Sequence, residues 1–257
     1  MGAGFTNYFG DLEQSEILVR TKTYGVGGYV SYELFSNFSL RAGFNAGKVS
    51  AADKLNRDPD YVKRNLSFIT NIQEINLLLE FSIFNINRFN LSPYVFGGIA
   101  GFHFNPYTYD ISNNKVFLQP LGTEGQNKPA ISGKKPYSLF QFSLPFGGGV
   151  RYDLNNLFIV GVEVGWRRLF TDYLDDVGGP YADPTSFTDL KSIEMAYRTP
   201  EINKTVPPYS ASLSNLNRGD PSNKDWYAFY NLTLSMNFRN FKALVTGNKG
   251  DIKCPRF

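Results

Sequence analysis

The sequence predicts an all-β protein, an eight-stranded antiparallel transmembrane β-barrel with long external loops and short periplasmic turns. Three observations predict it: strands with one apolar and one polar face, a strict alternation of short and long connections, and apolar faces that carry almost no charge. The 257-residue chain is 42% hydrophobic and 16% aromatic. No apolar run approaches the ~18 residues that a membrane helix needs. The length fits a single large all-β domain.

Alternation with a period of two is clearest in residues 226–238 and 157–168. In the first of these, Leu232 and Leu234 lie on one face, whereas Asn231 and Thr233 lie on the other. This pattern is typical of a strand with one buried or lipid-facing side. Six further segments read as strands, at about residues 3–9, 24–35, 38–48, 67–84, 92–104 and 137–153. Only residues 240–246 suggest a short helical turn.

The connections between these strands alternate in length. Tight turns occur at Ser36-Asn37, between Asn85 and Leu91, and at Asn155-Asn156. Long loops cover about residues 10–23, 49–66, 105–136 and 169–225. Bacterial outer-membrane barrels have short periplasmic turns and long external loops. We therefore expect an OmpA-like barrel over residues 1–240 in the outer membrane, with both termini periplasmic and residues 241–257 as a short periplasmic tail.

The polar faces of the strands carry four acidic and three basic residues: Glu33, Arg41, Glu74, Glu80, Arg151, Glu163 and Arg167. The interior of an eight-stranded barrel is just wide enough for side chains. Charges confined there must pair with one another, so we predict a lumen charge network. The alternative is a soluble β-sandwich, in which these charges are solvated. Arg168 is charged but falls on the apolar face, at a strand end where its side chain reaches the headgroups.

Aromatic residues fall at strand ends, where membrane barrels carry aromatic girdles. We assign Phe102, Phe104, Phe140, Trp166 and Trp226 to the long-loop end, and Tyr94, Tyr152, Phe158 and Phe238 to the short-turn end. A dispersed net charge of +3 argues against a nucleic-acid partner. One Cys and one His exclude an internal disulfide and metal sites built on several Cys or His. We expect no cofactor.

The loop at 169–225 is rich in aspartates, with no Lys or Arg between residues 170 and 190. Asp172, Asp175 and Asp176 are the weak candidates for a Ca²⁺ site, since that ion takes six to eight oxygen ligands. Their spacing lacks the glycine and glutamate of an EF-hand loop. We therefore expect a solvated acidic loop, or aspartates that cap turns, and no metal site.

His103 is predicted to face inward at the outer end of its strand. A catalytic histidine needs an orienting partner and a nucleophile nearby, and no spacing in the loops singles out either. We predict a hydrogen-bonded lumen histidine and a protein that is not an enzyme. A lipid-modifying enzyme that uses His103 is the alternative function.

Three stretches carry a resemblance to a known family. Gly4–Leu12 (GFTNYFGDL) opens the barrel, Pro120–Gln126 (PLGTEGQ) lies in the third long loop, and Thr171–Val177 (TDYLDDV) lies in the fourth. Together they resemble the PorG family of outer-membrane barrels, a component of the type IX secretion and gliding machinery of Bacteroidota. The resemblance covers most of the chain.

The resemblance implies a barrel in outer-membrane lipid that contacts a periplasmic ring made by a lipoprotein and its ring partner. An eight-stranded barrel is too narrow for a protein substrate. The implied role is therefore a non-enzymatic anchor, whose long loops are expected to contact other outer-membrane components. An exported barrel also needs an export signal, which we expect to have preceded residue 1.

The C-terminal tail is the expected contact with that ring. It is basic, and an odd cysteine in an oxidising compartment suggests an intermolecular disulfide or a free thiol. We predict that the tail binds the ring partner through Lys253, Cys254, Pro255, Arg256 and Phe257, with Cys254 in an intermolecular disulfide. An unstructured tail with a free or buried thiol is the alternative.

Overall fold

Eight antiparallel strands close into a barrel in the computed structural model, which describes residues 1–12, 23–86, 89–155, 157–214 and 216–238. The ring consists of β1 (Gly2–Phe9), β2 (Thr23–Phe35), β3 (Phe38–Ala52), β4 (Ser67–Ser82), β5 (Leu91–His103), β8 (Phe140–Asp153), β9 (Phe158–Leu169) and β10 (Trp226–Met236). It closes because β1 pairs with β10 and β3 pairs with β4. The predicted eight-stranded antiparallel barrel is thereby confirmed.

The two ends of the barrel differ as the loop lengths predict. The short-turn end carries the connections 36–37, 83–90 and 154–157, and the amino group of Met1 donates there to the Leu234 carbonyl at 2.7 Å. The long-loop end carries the connections 10–22, 53–66, 104–139 and 170–225. No helix in the described ranges has the length and apolar composition that a membrane crossing requires.

A belt of exposed apolar side chains surrounds the middle of the barrel, and we call it the apolar belt. On β4, Ile75, Leu77 and Leu79 face outward and alternate with buried Leu78 and Glu80. Neighbouring strands continue the belt with Val26, Val30, Phe44, Val95, Ile99, Phe142, Phe146, Val162, Leu232 and Leu234. Residues 75–82, in a strand tilted by about 40°, give a belt roughly 20 Å tall, which approaches the ~25 Å height of the lipid-facing band in membrane barrels.

The expected facing of β5 is wrong. Phe102 and Phe104 are fully buried and Tyr94 is 4% exposed, so none of the three belongs to an outward girdle, and His103 faces outward instead of inward. Both faces of β5 are apolar or small, so its own pattern does not fix which side points inward. Pairing decides it, because Phe102 lies opposite Glu74 and must share the inward face of that carboxylate.

Glycine makes room for an aromatic ring inside the narrow barrel. A Cβ atom on Gly147 would lie 2.8 Å from the Phe96 ring, and one on Gly165 would lie 2.9 Å from it. Phe96 is only 5% exposed. Two glycines on adjacent strands therefore make room for one large side chain in the lumen.

The long loops fold into a compact layer over the barrel, and we call residues 10–12, 53–66, 104–139 and 170–225 the loop cap. It contains the hairpin β6 (Tyr107–Tyr109) and β7 (Lys115–Phe117), and the helices α1 (Pro59–Arg64), α2 (Pro129–Ser132), α3 (Leu190–Ala196) and α4 (Thr199–Ile202). Leu174, Val177 and Met195 of the cap form one apolar cluster with Phe68 and Phe229 of the barrel. The length of these loops was expected from the sequence, whereas their packing into a folded layer was not.

Candidate functional site in the sealed barrel

The structure brings six of the seven predicted lumen charges together. Arg41 donates to Glu163 through two hydrogen bonds, of 2.5 and 3.1 Å, and lies 3.5 Å from Glu80. Arg151 donates to Glu80 as well. Arg167 Nε donates to Glu74 at 2.9 Å. Three acids and three bases thus balance inside the barrel, whereas Glu33 lies half-buried near the short-turn end of β2.

Neutral side chains complete this network. Tyr94 donates to Glu163 at 2.8 Å, and Tyr227 donates to Glu74 at 2.7 Å. Asn45 donates to Glu74 at 2.8 Å. A pocket beside Arg41 has a volume of about 20 Å³, which is room for about one water molecule. Ion pairs and aromatic rings therefore occupy the lumen of the described part of the barrel.

The three sequence stretches that carry the family resemblance converge in the loop cap. Tyr8, in the first stretch, donates to Asp175 Oδ2 of the third at 2.6 Å. Thr123, in the second stretch, donates to Asp176 of the third. Segments separated by more than 160 residues therefore meet in one buried polar core.

The Tyr8 hydroxyl lies between two buried carboxyl groups. Its oxygen is 2.6 Å from Asp175 Oδ2 and 2.8 Å from Asp225 Oδ1. A hydroxyl carries one proton, so it can donate to only one of these oxygens. The second contact needs a proton on the other carboxyl group. This geometry therefore holds one of the two aspartates in its neutral form, which also limits the cost of burying them.

Glu124 is the acceptor that joins the fourth long loop to the third. Its Oε1 accepts from the backbone N–H groups of Gly178 at 2.9 Å and Gly179 at 3.0 Å, and from Arg218 at 3.0 Å. Its Oε2 accepts from Lys134 at 2.6 Å. Burial alone would raise the pKa of Glu124, but Arg218 and Lys134 outweigh burial and lower it. The ionised form is therefore the one that holds the cap together.

Arg64 joins the first, second and fourth long loops. Its guanidinium donates to both oxygens of Asp53 at 2.7 Å, in the two-point geometry that arginine and carboxylate favour. It also donates to the backbone carbonyls of Asp11, at 3.0 Å, and of Arg218. Asn65, just after α1, takes the left-handed conformation with φ of 58°, which ends the helix and places Arg64 over the barrel.

Burial raises the pKa of several carboxyl groups in the cap. The pKa of Asp172 rises to about 7, and those of Asp11 and Asp176 rise to about 6. Burial, and then repulsion from Asp225, raises the pKa of Asp175 well above its ordinary value. Burial also raises that of Asp225. The cap therefore carries carboxyl groups that hold their protons up to near-neutral pH.

The expectation of a solvated acidic loop is wrong. Asp172 is 4% exposed, Asp175 is 1% exposed and Asp176 is fully buried. The apolar cluster around Leu174 and Val177 pulls this segment inward. Turn capping is found as expected: Asp175 Oδ1 accepts from Val177 N at 2.8 Å, Asp183 accepts from Thr185 N, and Asp189 accepts from Ser192 N at the start of α3.

The candidate metal ligands do not converge. Asp175 accepts from Tyr8, whereas Asp176 accepts from Tyr137 at 2.7 Å. Neither oxygen of Asp172 has a hydrogen-bond partner, although Lys224 Nζ lies 3.7 Å away. Among the residues that the structure describes, no group of three or more His, Cys, Asp and Glu side chains has the arrangement of a metal site.

His103 is exposed on the outer wall, in register with Gln73 on β4 and Phe140 on β8. No described carboxylate or hydroxyl group forms a hydrogen bond with its imidazole, so a catalytic arrangement around it is not present in these ranges. The predicted tail contacts, Lys253, Cys254, Pro255, Arg256 and Phe257, lie outside the described residues, as does the predicted turn at 240–246.

The polar core of the cap was not predicted from the sequence. A signal for it exists in the 169–225 loop, which contains Leu174, Val177, Phe187 and Met195 among its aspartates. Apolar residues of this size do not belong in a solvated loop, because their burial stabilises the chain by about 1.5–3 kcal/mol each. Their presence indicates a loop that packs against something.

Comparisons with known proteins identify a family for this chain but no activity. A family model described as a domain of unknown function (DUF6089) matches residues 1–199. A search of curated proteins finds no match.

Two solved structures are similar at a distance. Ail, the attachment invasion locus protein of Yersinia pestis, is 10% identical and superposes with a TM-score of 0.40, covering 91% of this chain and 93% of that one. The N-terminal β-barrel domain of Pseudomonas aeruginosa OprF is 12% identical with a TM-score of 0.35, covering 90% and 91%. The assignment of a barrel to this chain therefore rests on the pairing of its own strands, and not on these similarities.

Proposed function

The chain belongs to the DUF6089 family, and we propose that it is a non-enzymatic barrel of the outer membrane that anchors a periplasmic assembly. The observation that carries this proposal is a filled lumen inside a closed barrel with an apolar belt. A barrel wall with apolar side chains on its outer face and ion-paired side chains on its inner face is suited to a surrounding of lipid. A lumen occupied by Arg41, Glu163, Arg167 and Glu74 is unsuited to transport. Such a barrel acts through its two ends.

The membrane assignment is supported by the energetics of the apolar belt. Outward residues such as Val30, Ile75 and Leu232 are each about 70% exposed. In water, a continuous patch of this size is a liability, since soluble monomers rarely expose more than a few hundred Å² of contiguous apolar surface. Contact with hydrocarbon removes this cost, and the even strand number and unequal ends match outer-membrane barrels.

The finer proposal is that the assembly is the periplasmic ring of the type IX secretion and gliding machinery. Its support is the resemblance to the PorG family, carried by Gly4–Leu12, Pro120–Gln126 and Thr171–Val177. We propose that the long loops face the cell exterior, that both termini are periplasmic, and that the tail of residues 241–257 binds the ring lipoprotein and its ring partner. Cys254 is the proposed site of an intermolecular disulfide.

The test is affinity purification of the tagged barrel in mild detergent, with and without residues 241–257. The proposal expects ring components with the full chain and their loss with the truncated one, while the truncated barrel still inserts. Recovery of the same partners without the tail would contradict tail docking.

A matched test of the disulfide uses non-reducing electrophoresis of native membranes. A higher band should disappear on reduction and in Cys254→Ser. If the two proteins migrate identically, without a higher band in either, the disulfide proposal fails while the anchor proposal stands.

A further inference from the structure

A group of outward-facing polar side chains lies directly beyond the apolar belt, on the long-loop side of β3, β4 and β5. Lys48 pairs in register with Asn71, and Gln73 pairs in register with His103. All four side chains are exposed on the outer wall of the barrel. We call Lys48, Asn71, Gln73 and His103 the outer polar patch.

The outer polar patch has no partner within the described part of the chain. None of its four side chains takes part in a hydrogen bond or ion pair there, in contrast to the ion-paired arginines and glutamates of the lumen. The carboxylates of β4, Glu74 and Glu80, face the lumen, and β3 and β5 contain no Asp or Glu. The charge of Lys48 is therefore uncompensated on this wall.

The position of the patch relative to the belt sets the depth at which it meets a bilayer. Gln73 and Ile75 are successive outward residues of β4, and Ile75 is 71% exposed at the edge of the belt. Two residues of strand span about 6.6 Å. Gln73 and His103 thus lie within one such step of the hydrocarbon, at the level of the polar headgroups that flank it.

From this placement we propose that the outer polar patch binds the phosphate group of an anionic lipid headgroup in the outer leaflet. This inference rests on the proposed function, because it needs the belt to lie in a membrane. The ammonium of Lys48 supplies the charge that phosphate requires. The amides of Asn71 and Gln73 and the imidazole of His103 supply neutral donors beside it. The apolar belt below accommodates the acyl chains of the same lipid.

The experiment uses the purified protein in phosphatidylcholine nanodiscs that contain a small fraction of lipid A, a glycolipid with two phosphates. Native mass spectrometry after release from the nanodisc counts the lipid A molecules that remain bound. We expect enrichment over phosphatidylcholine, and loss of that enrichment with chemically dephosphorylated lipid A. Lys48→Gln should weaken lipid A retention about fivefold, which is the effect of one basic residue at an anionic surface. Lys48→Arg should preserve it.

The matched control is Lys204→Gln, which removes an exposed lysine of the loop cap that is not part of the outer polar patch. Equal retention of lipid A by the wild type, Lys48→Gln and Lys204→Gln would overturn the inference, and so would displacement of lipid A by inorganic phosphate. In these outcomes the protein still inserts into nanodiscs, so the proposed function stands. Failure of the wild type to insert would instead contradict the proposed function.

Discussion

The hydroxyl of Tyr8 contacts two buried carboxyl groups, so its removal should lower the free energy of unfolding. It contacts Asp175 at 2.6 Å and Asp225 at 2.8 Å, and Tyr8 is 1% exposed. Tyr8→Phe keeps the ring but leaves both carboxyl groups without this partner. We expect a loss of about 1–3 kcal/mol in the free energy of unfolding, the usual cost of an unsatisfied buried polar group.

Urea unfolding in micelles, followed by tyrosine fluorescence, measures this loss. Tyr32→Phe is the control, because Tyr32 is 67% exposed and its hydroxyl forms no hydrogen bond within the described residues. Equal stability of the two variants would contradict a structural role for the Tyr8 hydroxyl.

The raised pKa of Asp172 predicts a pH dependence of stability. Its pKa is about 7 in the folded protein because of burial, against an ordinary value of 3.8. Between these values the folded state binds more protons than the unfolded state, so the free energy of unfolding falls as pH rises from about 4 to 7. The pKa values of Asp11 and Asp176, near 6, act in the same direction.

We therefore expect a higher unfolding temperature at pH 5 than at pH 8, with a smaller difference in Asp172→Asn. Thermal unfolding in detergent, followed by circular dichroism, checks both statements. Asp60→Asn is the control, since this carboxylate is exposed on α1. An unfolding temperature that rises from pH 5 to pH 8 would contradict the assignment.

Among the structural elements, the loop cap is held by a few buried ion pairs, so it should open without the barrel. Glu124→Gln keeps the shape of the side chain but removes the nearer ionised partner of Arg218, whose side chain is 2% exposed, and leaves it only Asp176 at 3.8 Å. Breaking one side of a buried pair costs about 3–5 kcal/mol. We expect the fourth long loop to become accessible while the strand ladder persists.

Limited trypsin digestion, with mass mapping of the cut sites, separates the two elements. Cleavage after the buried Arg198 and Arg218 should appear in Glu124→Gln and stay absent in the wild type. Glu194→Gln should resemble the wild type, because Glu194 forms a half-exposed pair with Lys191. Cleavage within the barrel strands of Glu124→Gln would show that cap and barrel unfold together.

The elements also show how far the sequence alone could reach. The eight strands were predictable to within a few residues, because the period-two pattern and the loop lengths are local signals. The facing of β5 was not, since both of its faces are apolar and only its pairing with Glu74 orients Phe102. The polar core of the cap was not predictable either, because Tyr8, Glu124 and Asp175 come from three distant segments.

At the scale of the whole molecule, charged side chains lie inside the barrel and apolar side chains lie outside, which is the reverse of a soluble protein. The interior of the barrel holds Glu74, Glu163 and their arginine partners, and the exterior holds the apolar belt. This reversal explains why the lumen charges could be predicted from the alternation of inward and outward residues along each strand. In a narrow barrel, inward-facing charged side chains have only one another as partners. The account therefore depends above all on whether lipid surrounds the apolar belt.

A spin label at Leu232 tests that claim most directly. Leu232 is 70% exposed in the middle of β10, and Cys254→Ser removes the single native thiol. In liposomes, collisions of a label at Leu232→Cys with apolar oxygen should exceed those with a water-soluble nickel chelate. A label at Leu190→Cys, on the cap, should show the opposite order, since Leu190 is 83% exposed on α3. A Leu232 label that collides more often with the nickel chelate would place the belt in water and contradict the account.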